Sequence, residues 1–309
     1  MGVIMGPGNR EPGDVLDVGV LIRHELAAHG IESHLEQADD LETAKVIEAS
    51  GKEWFLWNLV HRLRGQEDRD AWPDTVHRHV DSMLESRIQP QAEQMSPEEL
   101  RGCLRSRLVA DVDDGTPTDL SYGRPFAPGI IEVLCADYPH SVTTLGRGHV
   151  EELPLGIDEA FDIGRANTVA EPVDESFEAA DGVRILTGDS LFVASKAIDI
   201  AALVGGPIGP APHGLAFALP NRSLLLYQVL SAEDWIQQTA ELVQLVESMV
   251  ADPEYFHPGG VVSDAAYYWA PDGRIDLLGG RHIDEDGETS LWISPPDSLA
   301  DYLPVEPQE

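Results

Sequence analysis

The residues nearest in type and spacing to a metal centre are His77-Arg78-His79-Val80-Asp81. They match the start of the His-x-His-x-Asp-His pattern of metallo-β-lactamase-like hydrolases, in which imidazoles and a carboxylate converge on metal from a loop after a strand. Ser82 stands where that pattern ends in His. The surrounding segment, Asp74 to Arg87, has helical spacing, and residues two apart on a helix do not face each other. The plainer reading is a solvated helix face, so a metal-assisted hydrolase using His77, His79 and Asp81 is the alternative function rather than the leading one. His24, His29 and His34 are spaced by five, off the i,i+4 geometry of a helical zinc pair, and read as surface or helix-end histidines. Asp284-Glu285-Asp286-Gly287-Glu288 lacks the 12-residue alternation of an EF-hand and reads as a hairpin turn. Asp111, Asp113 and Asp114 read as a solvated linker.

Nucleophile and phosphate motifs are missing. There is no Gly-x-Ser-x-Gly elbow and no P-loop, and Gly205-Gly206-Pro207-Ile208-Gly209 is broken by proline with no helix after it. Ser195 is adjacent to Lys196 rather than at Ser-x-x-Lys spacing, and is expected to cap the following helix. Arg222 is one of few cations and lies in a tight turn between two apolar runs. Its guanidinium fork suits a planar oxyanion or carboxylate. The structural alternative is an internal salt bridge closing the hairpin against the Asn167 helix or an acidic neighbour. No catalytic residue, metal ligand or cofactor is assigned from these patterns.

The elements that position these residues centre on Gly188 to Val250. Leu215, Phe217 and Leu219 alternate with Ala216 and Ala218, which predicts a strand with something packed close on one face. Pro220 to Ser223 supplies turn chemistry, and Leu224 to Val229 is a short apolar run, so the two form a hairpin. A helix is predicted over Ser231–Val250 with Ser231 as N-cap. Leu224, Leu226 and Trp235 are expected to be buried together.

Upstream, residues 1–13 are rich in Gly and Pro and read as a flexible N-terminus. Residues 14–110 read as a mainly helical lobe, with helices to Ala28, over Glu53–Leu63, from Asp74 to Arg87 and over Glu98–Val109. Short strands at Ser33–Glu36 and Ala44–Ile47 are an option. A boundary is expected in the acidic connector at Asp111–Arg124. Residues 125–294 read as an α+β domain. Its elements are strands at Gly129–Asp137 and Val142–Leu145, a helix from Asp158 to Val169, a hairpin pairing Val183–Leu186 with Leu191–Ala194 around Gly188-Asp189, a helix over Lys196–Val204, and late strands at Val261–Trp269, Arg274–Leu278 and Thr289–Ser294. The acidic, Pro-rich tail, 295–309, is expected to be partly disordered. The fold class is therefore α+β: a mainly helical N-terminal lobe, then a predominantly antiparallel sheet with a long packed amphipathic helix.

Composition limits the partners. The chain has 309 residues, with 20 Lys+Arg against 55 Asp+Glu and a formal net charge of -35. Nucleic acid and anionic lipid are bound by Lys/Arg displacing counterions, so a surface this acidic disfavours both and favours basic proteins or cations. Solubility alone, or a salt-rich host, accounts for the same charge. Cys103 and Cys135 sit in no motif and read as reduced thiols of a cytoplasmic protein. The start of the chain lacks the basic and apolar regions of a signal peptide, and no apolar run approaches the ~20 residues of a membrane span.

The order of segments "GIDEAFDIGRANT", "GDSLFVASKAIDI" and "GLAFALPNRSLLL", followed by a long amphipathic helix, resembles the bacterial DUF1444 (YtpQ-type) proteins, a family of unknown function. The resemblance covers roughly 125–258. It rests on an Ala-x-x-Asn helix end, a Ser opening an apolar segment and a Pro-x-Arg turn, which map to Asn167, Ser195, Pro220 and Arg222. It implies the fold and adds Asn167 to Ser195 and Arg222 as candidate binding residues, but brings no reaction. The leading expectation is an uncharacterised, non-enzymatic binding module for a basic protein partner, immunity- or regulator-like.

Overall fold

The computed structural model describes residues 14–37, 41, 43–66, 68–88, 90–111, 118–139, 141–180, 182–188, 190–252, 255, 257–284 and 287–303. The N-terminus expected to be flexible, Asp113, Asp114, Asp189, Glu285, Asp286 and the last six positions of the tail lie outside them. The chain divides into two compact units, Met1–Gln89 with Tyr138–Ser141, and Pro90–Asp137 with Val142–Glu309.

In the first unit α1 (Asp14–Ala28) buries Val15, Val18, Ile22 and Leu26, a single stripe at helical spacing. Strands β1 (Ser33–Glu36), β2 (Lys45–Glu48) and β3 (Glu53–Phe55) form an antiparallel sheet in that order. Helices α2 (Trp57–Arg64) and α3 (Trp72–Glu85) complete the unit. The helix expected over Glu53–Leu63 is thus a strand and a shorter helix. Trp54 explains the break: its buried indole Nε1 donates to Glu48 Oε1 at 2.6 Å, a bond that holds Glu53–Phe55 on the sheet.

The second unit opens with α4 (Pro97–Cys103), started by a capping box in which Ser96 and Glu99 satisfy each other's backbone N–H groups. The expected helix over Glu98–Val109 stops at Cys103, because Leu104–Ala110 is β4 and pairs with β6 (Ile130–Tyr138) along its whole length, from Leu104↔Ala136 to Ala110↔Ile130. Residues 90–110, grouped with the helical lobe from sequence, therefore belong to this unit. β5 (Arg124–Ala127) and β7 (Ser141–Thr144) both pair with β6. The short α5 (Arg147–Glu151) leads to α6 (Ile157–Ala170), which packs on β4. Gly164 permits that approach, since a Cβ there would lie 3.0 Å from the Arg105 and Ser106 backbone.

The remaining strands form one antiparallel sheet of seven. They are β8 (Glu175–Ala180), β9 (Val183–Thr187), β10 (Leu215–Asn221), β11 (Leu224–Val229), β12 (Ala266–Trp269), β13 (Ile275–Ile283) and β14 (Thr289–Ile293), ordered β14-β13-β12-β10-β11-β9-β8. β9 pairs with β8 and β11 rather than with Leu191–Ala194. That segment is a turn entering a 3-10 stretch at Ala194–Asp199, held there by burial of Val193, Ala194 and Ala197 in the core. Helix α7 (Ile200–Val204) follows, capped by Asp199, whose carboxylate accepts from Ala202 N at 2.9 Å.

The β10–β11 hairpin sits at the sheet's centre and divides two cores. Leu215, Phe217 and Leu219 face Val193, Ala197, Ile200 and Leu203. Ala216, Ala218 and Leu226 face α8 (Trp235–Ala251), which contributes Trp235, Leu242, Val243 and Val246. The small Ala216 and Ala218 let the helix lie close. Leu224 is partly buried against this same core. Ser231 does not begin the helix: its Oγ accepts from Asp234 N at 3.1 Å and closes a turn ahead of Trp235. The described part of the tail, 295–303, is structured rather than disordered. Helix α9 (Asp297–Ala300) buries Leu299, and Leu303, one helical turn on, is buried in the same core. No helix among the described residues is long and apolar enough to cross a membrane.

Candidate functional site

Two of the three candidate binding residues are committed to the free edge of β4. Ser195 is fully buried, and its Oγ accepts from Leu108 N at 3.0 Å, so it caps a strand edge rather than a helix. Thr168, which no sequence signal singled out, does the same one step along: its Oγ1 accepts from Ser106 N at 3.0 Å and donates to Ser106 O at 2.9 Å. Asn167 Nδ2 donates to the Arg101 and Leu104 carbonyls, both at 2.9 Å, satisfying acceptors left open at the end of α4. These side chains stand in for a missing neighbouring strand. Lys196 serves the end of α6, its Nζ donating to Val169 O and Glu171 O, each at 2.5 Å. Burial pulls its pKa down, against the pull of the Glu171 carboxylate.

The Arg222 backbone reaches this region, its carbonyl accepting from Ala194 N at 3.2 Å. Its guanidinium lies against Gly259, where a Cβ would sit 2.9 Å from Nη1 and where φ is +73°. The turn before it is set by Asn221, whose Oδ1 accepts from Ser223 N at 2.9 Å. The structure therefore brings Ser195 and Asn167 to one strand and leaves the Arg222 guanidinium outside that group.

The His-x-His-x-Asp stretch lies on α3, and His79 does not join His77 and Asp81. His77 Nδ1 lies 2.8 Å from Glu25 Oε2 and its Nε2 3.2 Å from Asp81 Oδ2, while the other Asp81 oxygen lies 2.9 Å from His29 Nε2. The result is a chain of alternating carboxylates and imidazoles joining α1 to α3. His79 instead lines a cleft with Arg62. No group of three His, Cys, Asp or Glu among the described residues is placed to hold a metal ion.

The α1–α3 chain has a pH signature. The hydrogen bond to Glu25, then the Asp81 charge, raise the His77 pKa, and the bond to His77 lowers that of Glu25. A raised imidazole pKa adds stability below its unfolded value of ~6.5 that is lost as pH rises through the folded value. A lowered carboxylate pKa adds stability above its unfolded value of ~4.3 that is lost as pH falls through the folded value. The latch is therefore complete in mildly acidic solution, between those two limits. In an NMR titration His77 is expected to titrate above ~6.5 and to fall toward it in Glu25→Gln. An unshifted His77 in the parent protein would contradict the pairing.

One of the sheet's two outer strands, β8, is the other exposed feature. Among the described residues it pairs with β9 alone, and Glu175, Ser176, Phe177, Glu178 and Ala179 are all exposed, Phe177 at 44%. Asp174, Glu175 and Glu178 make this edge acidic, and across the ladder from Glu178 Arg184 donates to Ser176 Oγ at 3.4 Å. No sequence signal marks β8, because its alternation sets Phe177 among Glu, Ser and Ala, too weak an apolar period for a strand. Unpaired backbone N–H and C=O groups on such an edge can accept another strand. Compared with profiles of known families, with characterised proteins and with solved structures, the chain matches none.

Proposed function

We propose that this chain is a non-enzymatic, cytoplasmic binding module that takes a basic protein partner at the β8 edge. The observation that carries the reading is an open, acidic strand edge at the end of the seven-stranded sheet of a chain with net charge -35. Backbone pairing along Glu175–Ala180 supplies register, Phe177 an apolar anchor, and Glu175 and Glu178 select Lys or Arg on the incoming segment. An immunity-type inhibitor of a basic toxin is one instance of such a module. The commitment of Ser195 and Asn167 to backbone partners gives them a structural role and leaves the binding reading on β8. Kinship with the DUF1444 proteins belongs to the same proposal, supported by the Asn167, Ser195, Pro220 and Arg222 motifs.

The test compares the full chain with Glu175→Lys/Glu178→Lys in capture from a host lysate. The expected result is a basic protein retained by the parent chain, released between low and moderate salt, and not retained by the variant. Equal retention by both proteins, or capture indifferent to salt, would show that β8 is not the docking edge.

A further inference from the structure

We propose that the cleft between α2 and α3 is an anion site that takes the phosphate group of a small phosphorylated ligand. The cleft encloses ≈ 430 Å³ and is lined by Arg62, Gln66, Thr75, Arg78, His79 and Ser82, among others. That volume lies in the range of small-molecule sites. None of its lining residues carries a carboxylate.

This is unusual for the chain. With 55 acidic residues against 20 basic ones, an arginine is expected to have a carboxylate nearby. In the same unit Asp14 holds Arg64 and Arg69, and Glu48 holds Arg87. Arg62 and Arg78 differ: among the described residues neither has a carboxylate partner, and both open onto one cavity. Arg78 bonds neutral groups only, with Nε donating to Asp74 O at 3.3 Å and Nη2 to Thr75 Oγ1 at 3.2 Å. Thr75 is buried and also bonded to the Gln66 amide at 3.2 Å, so the wall that orients Arg78 is built before any ligand arrives. Two guanidinium groups with hydroxyl and amide donors beside them suit an oxyanion with several acceptor oxygens.

His79 couples the site to a proton. Burial, and after it the Arg62 charge, lower its pKa, so the imidazole is held neutral. The groups lining the cleft with it are Arg62 from α2, Gln66 just beyond α2, and Thr75, Arg78 and Ser82 on its own helix. An anion bound there offsets Arg62 and favours the imidazolium. Binding is thus expected to take up a proton and to strengthen as pH falls. This site is separate from the β8 edge, and its success or failure does not bear on the partner.

The experiment is calorimetric titration of the full chain with inorganic phosphate at constant ionic strength, with acetate as a carboxylate probe. Arg62→Gln and Arg78→Gln serve as variants; both side chains are exposed, and an unchanged thermal midpoint verifies folding. Saturable one-to-one phosphate binding is expected, weakened about tenfold or more by either variant, with the His79 pKa raised by phosphate in an NMR titration. Absence of saturable binding at millimolar phosphate, variants that bind phosphate as tightly as the parent chain, or acetate bound as tightly as phosphate would overturn the assignment.

Discussion

Leu226→Ala is expected to destabilise the second unit by about 2–5 kcal/mol, read as a large drop in its chemical-denaturation midpoint. Leu226 is fully buried on β11, between Ile185 of β9 and Ala218 of β10, under Trp235 and the apolar stripe of α8. The neighbour across the hairpin is already an alanine, so no larger side chain there can lean into the space, and a cavity remains. Ser231→Ala is the control. It removes one acceptor for the exposed Asp234 N–H, and its cost is at most about 1 kcal/mol. A midpoint unmoved by Leu226→Ala would mean that β11 is not the centre of this core.

Thr168→Val is expected to cost about 2–4 kcal/mol, although it preserves shape and adds no bulk. Thr168 is fully buried and both accepts from Ser106 N and donates to Ser106 O. Valine fills the same volume and leaves a buried N–H and a buried C=O on the β4 edge without this partner. Each costs about 1–3 kcal/mol, against the small gain of burying one more methyl. Ser195→Ala orphans only Leu108 N and is expected to cost about half as much. Denaturation of the two variants side by side tests the edge. Equal small effects would mean that water or a shifted backbone replaces the hydroxyls.

The contrast between these residues explains what sequence reading reaches. Leu224–Val229 is legible to the residue because an apolar run covered on both faces needs no knowledge of its neighbours. The same holds for α1, whose stripe ends before a glycine with φ of +74°. Leu104–Ala110 is different. Its residues fit a helix locally, and only pairing with Ile130–Tyr138, far along the chain, makes it a strand. Leu299 and Leu303 sit in an acidic, Pro-rich tail whose composition hides two core side chains. At the candidate site Ser195 and Asn167 stand out as polar residues beside apolar segments. Their partners, Leu108 and the Arg101 and Leu104 carbonyls, lie 87, 66 and 63 residues away, so role and partner cannot be read together. The same distance hid the tie of His29 to Asp81, and with it the reason that His77 faces α1 while His79 faces a cleft.

Strand addition at β8 is tested most directly by its backbone amides. Hydrogen exchange of the full chain, alone and with the basic protein it captures, reads that strand without relying on charge. The backbone amides of Glu175–Ala180 that face away from β9 are expected to exchange fast in the free protein and to become protected in the complex, with the Leu215–Val229 hairpin unchanged. Protection that appears elsewhere while these amides go on exchanging at the free rate would contradict strand addition at this edge.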